Sequence, residues 1–395
     1  MESVYFDYAA TTPLDERVLD AMMPFFKERY GNANSLYALG RDAYRGLEQA
    51  RESVASGINA ASPDEVIFTS GGTESDNTAL VGILGRMAPN GGAHLIVSAL
   101  EHHAILEPAH YLEKQGYELT VLKPRVSGHF HPDDLRDAMR PNTKLVSIMH
   151  ANNEIGTINP IRQLAEVAHE GGALFHTDAA QTLGKIPFDV QELGIDAASF
   201  SSHKLYGPKG FGALYLKKRT PFAAFQRGGG QEFKKRSGTQ NTPGAAGFAK
   251  ALELMLADQS DEITRLGQLR DRLISGVLSS LENTQATTLA EPRLPHIASL
   301  LINGVEGEAM LLQLDNRGIA VSTGSACSSG SLEPSHVLLA IGCPPEIAHG
   351  SLRISMGRFT TEAHVDYFLE VFPPIVERLR AMSPVYEKMF GVTAK

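Results

Sequence analysis

The chain has 395 residues, 43% of them hydrophobic and 21% charged, which suits a globular protein and excludes a disordered chain or a small stapled scaffold. Its 36 basic and 45 acidic residues leave a net charge of −9, a poor match for nucleic acid or an anionic membrane. Two cysteines, Cys327 and Cys343, make neither a disulfide framework nor a four-cysteine zinc site.

The first helix is expected just after Thr12. That residue is the candidate cap, Pro13 suits the first helical position, and Asp15 and Glu16 favour the positive end of the dipole. Val18, Ala21, Met22, Phe25 and Phe26 define its buried face. Apolar runs of strand length follow at 66–69, 95–98, 119–122, 145–149, 173–176, 197–200 and 213–216. Helix-like stretches at 73–87, 105–114 and 162–169 separate several of them. This alternation predicts an α/β layer with a mostly parallel sheet. The connection over 201–212 is short for a crossover, so one strand there is expected to run antiparallel.

Beyond residue 245 the texture changes. A long helical pattern covers 248–281. Strands at 297–302, 319–322 and 352–355 then alternate with helices at 306–314, 334–341 and 362–382. We expect a large α/β domain over 14–255 and a smaller α+β domain from 1–13 and 256–395. No Gly/Ser linker marks the boundary. No apolar run reaches the roughly 18 residues that span a bilayer. The first residues show no signal-peptide pattern, so a cytoplasmic location and no membrane contact are expected.

Four segments carry the chemistry. Ser70-Gly71-Gly72-Thr73-Glu74-Ser75 follows a strand and opens a helix, which suits a phosphate, although an ordinary glycine turn has the same look. Asp178, in His176-Thr177-Asp178, ends a strand where open α/β sheets place ligands. It suits a pyridinium nitrogen, or it caps a helix. Lys204, in Ser201-Ser202-His203-Lys204, is a candidate Schiff-base lysine, with Ser201 and His203 near a phosphate. Lys209 fits a solvent-facing turn better.

The fourth segment, 322–331, surrounds Cys327 with small residues. A buried structural cysteine normally has larger apolar neighbours, so a mobile nucleophile is the better reading. Cys343 reads as structural. His102, in Glu101-His102-His103, suits a place over a cofactor ring or a turn. Asn153 follows a strand, and Arg353 lies inside one, where it suits a substrate carboxylate or an ion pair. The runs 217–219 and 234–236 read as solvated faces, with Ser237-Gly238-Thr239 in reach of a phosphate. His129 and His131 have no third ligand, so no metal is assigned.

Taken in order, SGGTES, EHHAIL, NNEIG, HTDAAQ, SSHKLYGPKG, RSGTQN, STGSACSSGSLEPSHVL and SLRISMGRFT resemble the cysteine desulfurases of the class V aminotransferase superfamily. The likeness runs from Tyr5 to the terminal helix. It implies the aspartate-aminotransferase-like fold (fold type I) of pyridoxal-phosphate enzymes, and a homodimer. It implies that Lys204 binds the cofactor covalently, Asp178 pairs with the ring nitrogen, Gln181 meets the ring hydroxyl and His102 stacks on the ring. Gly72, Thr73, Ser201 and His203 would hold the phosphate, with Thr239 from the other subunit. Asn153 and Arg353 would position L-cysteine, and Cys327 would accept its sulfur. The persulfide would then pass to an acceptor protein such as an iron–sulfur scaffold, with transient cluster contact through Cys327.

The loop after Cys327 resembles group I, the iron–sulfur-cluster and nitrogen-fixation type. The segment 31–37 departs from relatives that carry Pro-Ser-Ser and a His there. The chain also ends soon after Tyr386, where housekeeping members often continue into a scaffold-docking tail. A transaminase or selenocysteine lyase on the same fold, and a non-catalytic scaffold, are the alternatives. A transaminase has no use for Cys327, and a scaffold has none for Lys204, Asp178 and His102.

Overall fold

The computed structural model describes residues 3–324 and 333–391, so Cys327 lies outside the described residues. The strands in that set are β1 (Val4–Tyr5), β2 (Val66–Thr69), β3 (His94–Ser98), β4 (Glu118–Leu122), β5 (Thr143–Ser147) and β6 (Leu174–Asp178). They continue as β7 (Ala197–Ser201), β8 (Gly212–Leu216), β9 (Thr284–Ala286), β10 (Ile297–Ile302), β11 (Ile319–Ala320) and β12 (Ser351–Ser355). The first helices are α1 (Glu16–Lys27), α2 (Ala38–Gly57), α3 (Gly72–Met87), α4 (His103–Lys114), α5 (Pro132–Ala138), α6 (Ile161–Glu170) and α7 (Val190–Leu193). The later ones are α8 (Thr242–Ala257), α9 (Gln259–Ser280), α10 (Gly307–Asp315), α11 (His336–Ala340), α12 (Pro345–Ala348), α13 (Glu362–Ala381) and α14 (Pro384–Phe390).

The main sheet runs β2-β8-β7-β6-β5-β3-β4. The pairs from β7 to β4 are all parallel. β8 runs antiparallel to both β7 and β2, as the short 201–212 connection predicts. β2, β3, β7 and β8 are buried at every position. Helices cover both faces of such a sheet, so its strands read as continuous apolar runs instead of alternating ones. β4 forms one edge and exposes Glu118 and Val121.

A second, three-stranded sheet has the order β12-β10-β9 and is antiparallel throughout. β1 pairs with β11 in parallel, so the start of the chain joins this later part. Phe6, Leu273, Met310, Phe368 and Phe372 share its core. Separate cores lie on the main sheet. Val337, Leu338, Ile341 and Ala348 pack into a main-sheet core, so a division drawn at residue 255 is crossed by this stretch.

Three local expectations need correction. Asp15, not Thr12, caps α1, accepting from the Arg17 amide. Thr12 is held by the chain 191 residues away, where its hydroxyl donates to the His203 carbonyl. The helical run 248–281 is two helices, broken at Asp258 with φ −104° and ψ 3°. The run 234–236 is not simply a solvated face, because Arg236 is largely buried and pairs with Glu74 at 2.7 Å.

Candidate active site

The parallel strands end on one side of the main sheet, and the loops that follow them enclose a cavity of about 570 Å³. This is the ligand position expected of open α/β sheets. Every expected site residue lines it except Thr239 and Cys327. Thr239 is exposed and away from the cavity of its own chain, and Cys327 lies outside the described residues.

Lys204 closes a short 3-10 turn after β7, which brings its amine back over the N-terminal segment. Its Nζ donates to the carbonyls of Ala9 and Ala10, each at 2.6 Å. Gln181 Nε2 donates to the same Ala9 carbonyl at 2.9 Å. Asp178 ends β6 and accepts from the Ala180 amide at 2.8 Å. Burial raises its pKa, and the Lys204 charge opposes that rise.

Asp76, on α3, also lines the cavity. Burial first, and then the Asp178 charge, pushes its carboxyl well above the usual range. Two buried carboxylates that feel each other cannot both ionise cheaply, so Asp76 and Asp178 titrate as a pair that favours a single negative charge. Glu101 is fully buried and accepts from Ser98 Oγ at 2.5 Å and the Met149 amide at 2.7 Å. Burial pushes its pKa up to about 8.

His102 caps α4, with its Nδ1 accepting from the Ala104 amide at 3.1 Å. Burial, and then the Lys204 charge, lowers its pKa to about 4. The ring is therefore neutral near pH 7, with its proton on Nε2. His203 is lowered to about 4 by the same causes, and its Nδ1 meets Thr11 Oγ1 at 3.0 Å.

The opposite end of the cavity is built for an anion. Gly71 precedes α3 with φ 152° and ψ −179°, a conformation reserved for glycine. A Cβ built there would meet nothing within 4 Å, so the backbone leaves open space. Gly72, Thr73 and Glu74 form the first turn of α3, whose amides have no partner within the helix. Ser201 stands beside them, 3.5 Å from where a Cβ on Gly72 would sit. The Glu74 carboxylate is turned to Arg236 and the Ser70 amide, which holds its pKa below the usual value despite burial.

Arg353 lies on β12 and is buried. Its Nη1 donates to the Asn153 carbonyl at 3.1 Å, and its Nη2 pairs with Asp7 at 2.8 Å. The cavity residue and the ion-paired residue are thus the same arginine. Cys343 is partly buried, its pKa is raised by burial, and it packs against the main-sheet core.

Residues 4–368 match the class-V aminotransferase family. The chain belongs to that family. It is 50% identical over 392 residues to a protein of Dictyoglomus turgidum curated as cysteine desulfurase IscS, covering 99% of each chain. A solved structure described as a NIFS-like protein superposes with a TM-score of 0.89 at 38% identity, over 95% of this chain and 100% of that one. Another, described as SspA in complex with cysteine, gives a TM-score of 0.79 at 34% identity, over 91% and 100%.

The class-V aminotransferases use pyridoxal phosphate, and the residues here fit it. The α3 amides with Ser201 and His203 suit the phosphate. Asp178 suits the ring nitrogen, and the Lys204 amine suits the aldehyde carbon. The open space beside Gly71 supplies room for the anion without a side-chain rearrangement.

Several participants escaped the sequence. The carbonyls of Ala9 and Ala10 hold Lys204, yet a backbone acceptor leaves no trace in residue type. Asp7 lies at the start of the likeness, between Tyr5 and Thr12, and only its ion pair with Arg353 gives it a role. Asp76 directly follows the phosphate motif, so its helical position one turn in was the available signal.

Proposed function

We propose that the chain is a pyridoxal-phosphate-dependent cysteine desulfurase that converts L-cysteine to L-alanine and carries the sulfur as a persulfide on Cys327. One observation carries this reading: Lys204, Asp178 and Arg353 line a single cavity beside a phosphate cradle. The half-identical curated desulfurase supports the substrate class.

When bound, pyridoxal phosphate supplies an electron sink for negative charge developing at the substrate Cα. Gly72, Thr73, Ser201 and His203 would hold the phosphate. Asp178 would keep the ring nitrogen protonated, and Gln181 would donate toward the ring hydroxyl. The neutral His102 ring would face the bound cofactor without adding charge. Lys204 Nζ moves the proton at Cα. Arg353 and Asn153 orient the substrate carboxylate. The Cys327 thiolate attacks the substrate sulfur, so an S–S bond forms, the Cβ–Sγ bond breaks, and Cβ ends as the methyl group of alanine.

A homodimer fits this reading. Leu36 and Tyr37 are 89% and 60% exposed, more than solvent favours for such side chains. Asn34 beside them bonds Gln240 at 3.3 Å, which ties this patch to Thr239. A second copy covering the patch would bring its own Thr239 toward the phosphate cradle. The sulfur acceptor is a thiol-bearing protein such as an iron–sulfur scaffold. A reactive thiol of this kind needs a reducing compartment, so we assign the cytoplasm.

The test is release of sulfide and alanine from L-cysteine with a thiol reductant. Equal yields of both support the reading. Amino-group transfer to a keto acid without sulfide would replace it with a transaminase.

A further inference from the structure

Behind the cavity, a second lysine reaches the same hydrogen-bond chain as Lys204. Residues 179–186 turn helically after β6, with Leu183 N bonding the Ala179 carbonyl and Ile186 N bonding the Thr182 carbonyl. Gln181 and Lys185 are therefore side-by-side neighbours one turn apart. Lys185 Nζ donates to Gln181 Oε1 at 3.2 Å. Gly184 lets the chain pass against α8, because φ is 74° there and an added Cβ would lie 2.9 Å from Met255 Cβ.

The Gln181 amide is fixed at both ends. Its oxygen accepts a hydrogen bond from Lys185 Nζ, and its nitrogen donates to the Ala9 carbonyl. A flipped amide would set oxygen against the Ala9 carbonyl and an N–H against an ammonium. Both contacts are unfavourable, so Lys185 and the Ala9 carbonyl together set which way the amide points. One Nε2 proton then remains uncommitted, on a residue that lines the cavity.

The far side of the amine supports a dedicated place for it. Lys185 also lines a separate small cavity of about 30 Å³ with Tyr8, Tyr206, Glu262 and His296. Glu262 is engaged by Arg265 at 2.7 Å, and burial keeps His296 neutral. No carboxylate pairs with the amine among the described residues. Burial, and then the charges of Lys204 and Arg353, lowers its pKa to about 7. An ordinary structural lysine would sit in a salt bridge or in water instead.

We propose that Lys185 is a positioning residue for the cofactor: it fixes the Gln181 amide so that its free N–H faces the ring hydroxyl. This rests on the pyridoxal-phosphate reading above. It deepens that reading by adding a residue that does not line the active-site cavity.

The test is a double-mutant cycle on pyridoxal-phosphate affinity, with the absorption maximum of the bound cofactor as a second readout. Lys185→Met should weaken cofactor binding about fivefold to tenfold, the size of one lost hydrogen bond. Its absorption maximum should move in the same direction as that of Gln181→Ala. The double variant should bind no more weakly than Gln181→Ala alone. Should Lys185→Met fail to give a native unfolding transition, Lys185→Ala serves in the same cycle. Wild-type affinity and spectrum in the lysine variant would overturn the proposal. So would an equal loss in the Gln181→Ala background, since Lys185 would then act independently. A wild-type chain that binds no pyridoxal phosphate would instead refute the underlying reading.

Discussion

Arg353 and Asp7 form an ion pair at 2.8 Å at the edge of the active-site cavity, joining β12 to the N-terminal segment. The pair holds the guanidinium plane in place before any substrate arrives. It also leaves Arg353 Nε buried without a partner among the described residues. A carboxylate substrate placed there would meet a preset fork instead of a mobile side chain.

Arg353→Lys should therefore keep the charge and lose the fork. KM for L-cysteine should rise by about tenfold or more, which corresponds to one charge-assisted bond. The cofactor absorption should stay unchanged. Steady-state kinetics check this, and an unaltered KM would remove Arg353 from the substrate site.

Lys204→Ala should cost about a hundredfold to ten-thousandfold in turnover, the range for losing a positioned proton-transfer group. The visible absorption of the covalently bound cofactor should vanish as well. Retention of that absorption would put the attachment on another amine.

Glu101 predicts a pH dependence of stability. Its folded pKa of about 8 lies above the ordinary carboxylate value, so the folded state keeps a proton that the unfolded state releases. The stabilisation is full below the unfolded pKa and is lost as pH rises to about 8. Relative to Glu101→Gln, the wild type should lose about 1.4 kcal/mol for each pH unit across that window. Denaturant titrations at several pH values test this. Parallel curves would mean that Glu101 is ionised in the fold.

Gly71→Ala should destabilise the protein by about 1–3 kcal/mol, from backbone strain alone. The added methyl meets open space, so no clash contributes. Cofactor affinity should fall with it, because the first turn of α3 must shift. Thermal unfolding equal to wild type would show that the backbone relaxes freely there.

The main sheet was legible because its strands are covered on both faces and read as unbroken apolar runs. The motif order was legible because chemistry demands particular residue types after particular strands. α2 was not, for a physical reason. Its buried face is Gly40, Ala43, Gly46, Ala50 and Arg51 as much as Leu47 and Val54, so no apolar stripe appears. Arg51 is buried there by Glu232, 181 residues away, at 2.6 Å. Thr12 looked like a helix cap because capping is local, whereas its hydroxyl is used by His203 across the fold. Glu101 looked like a flank to His102, and only the Met149 amide and Ser98 make it a buried acceptor.

Mass spectrometry of Cys327 after incubation with L-cysteine tests the central claim most directly. The account predicts an adduct of about 32 Da, one sulfur atom, on Cys327. The adduct should be absent in Lys204→Ala, and sulfide release should be absent in Cys327→Ala. An adduct on Cys343 with Cys327 unmodified, or sulfide released at the wild-type rate by Cys327→Ala, would contradict it.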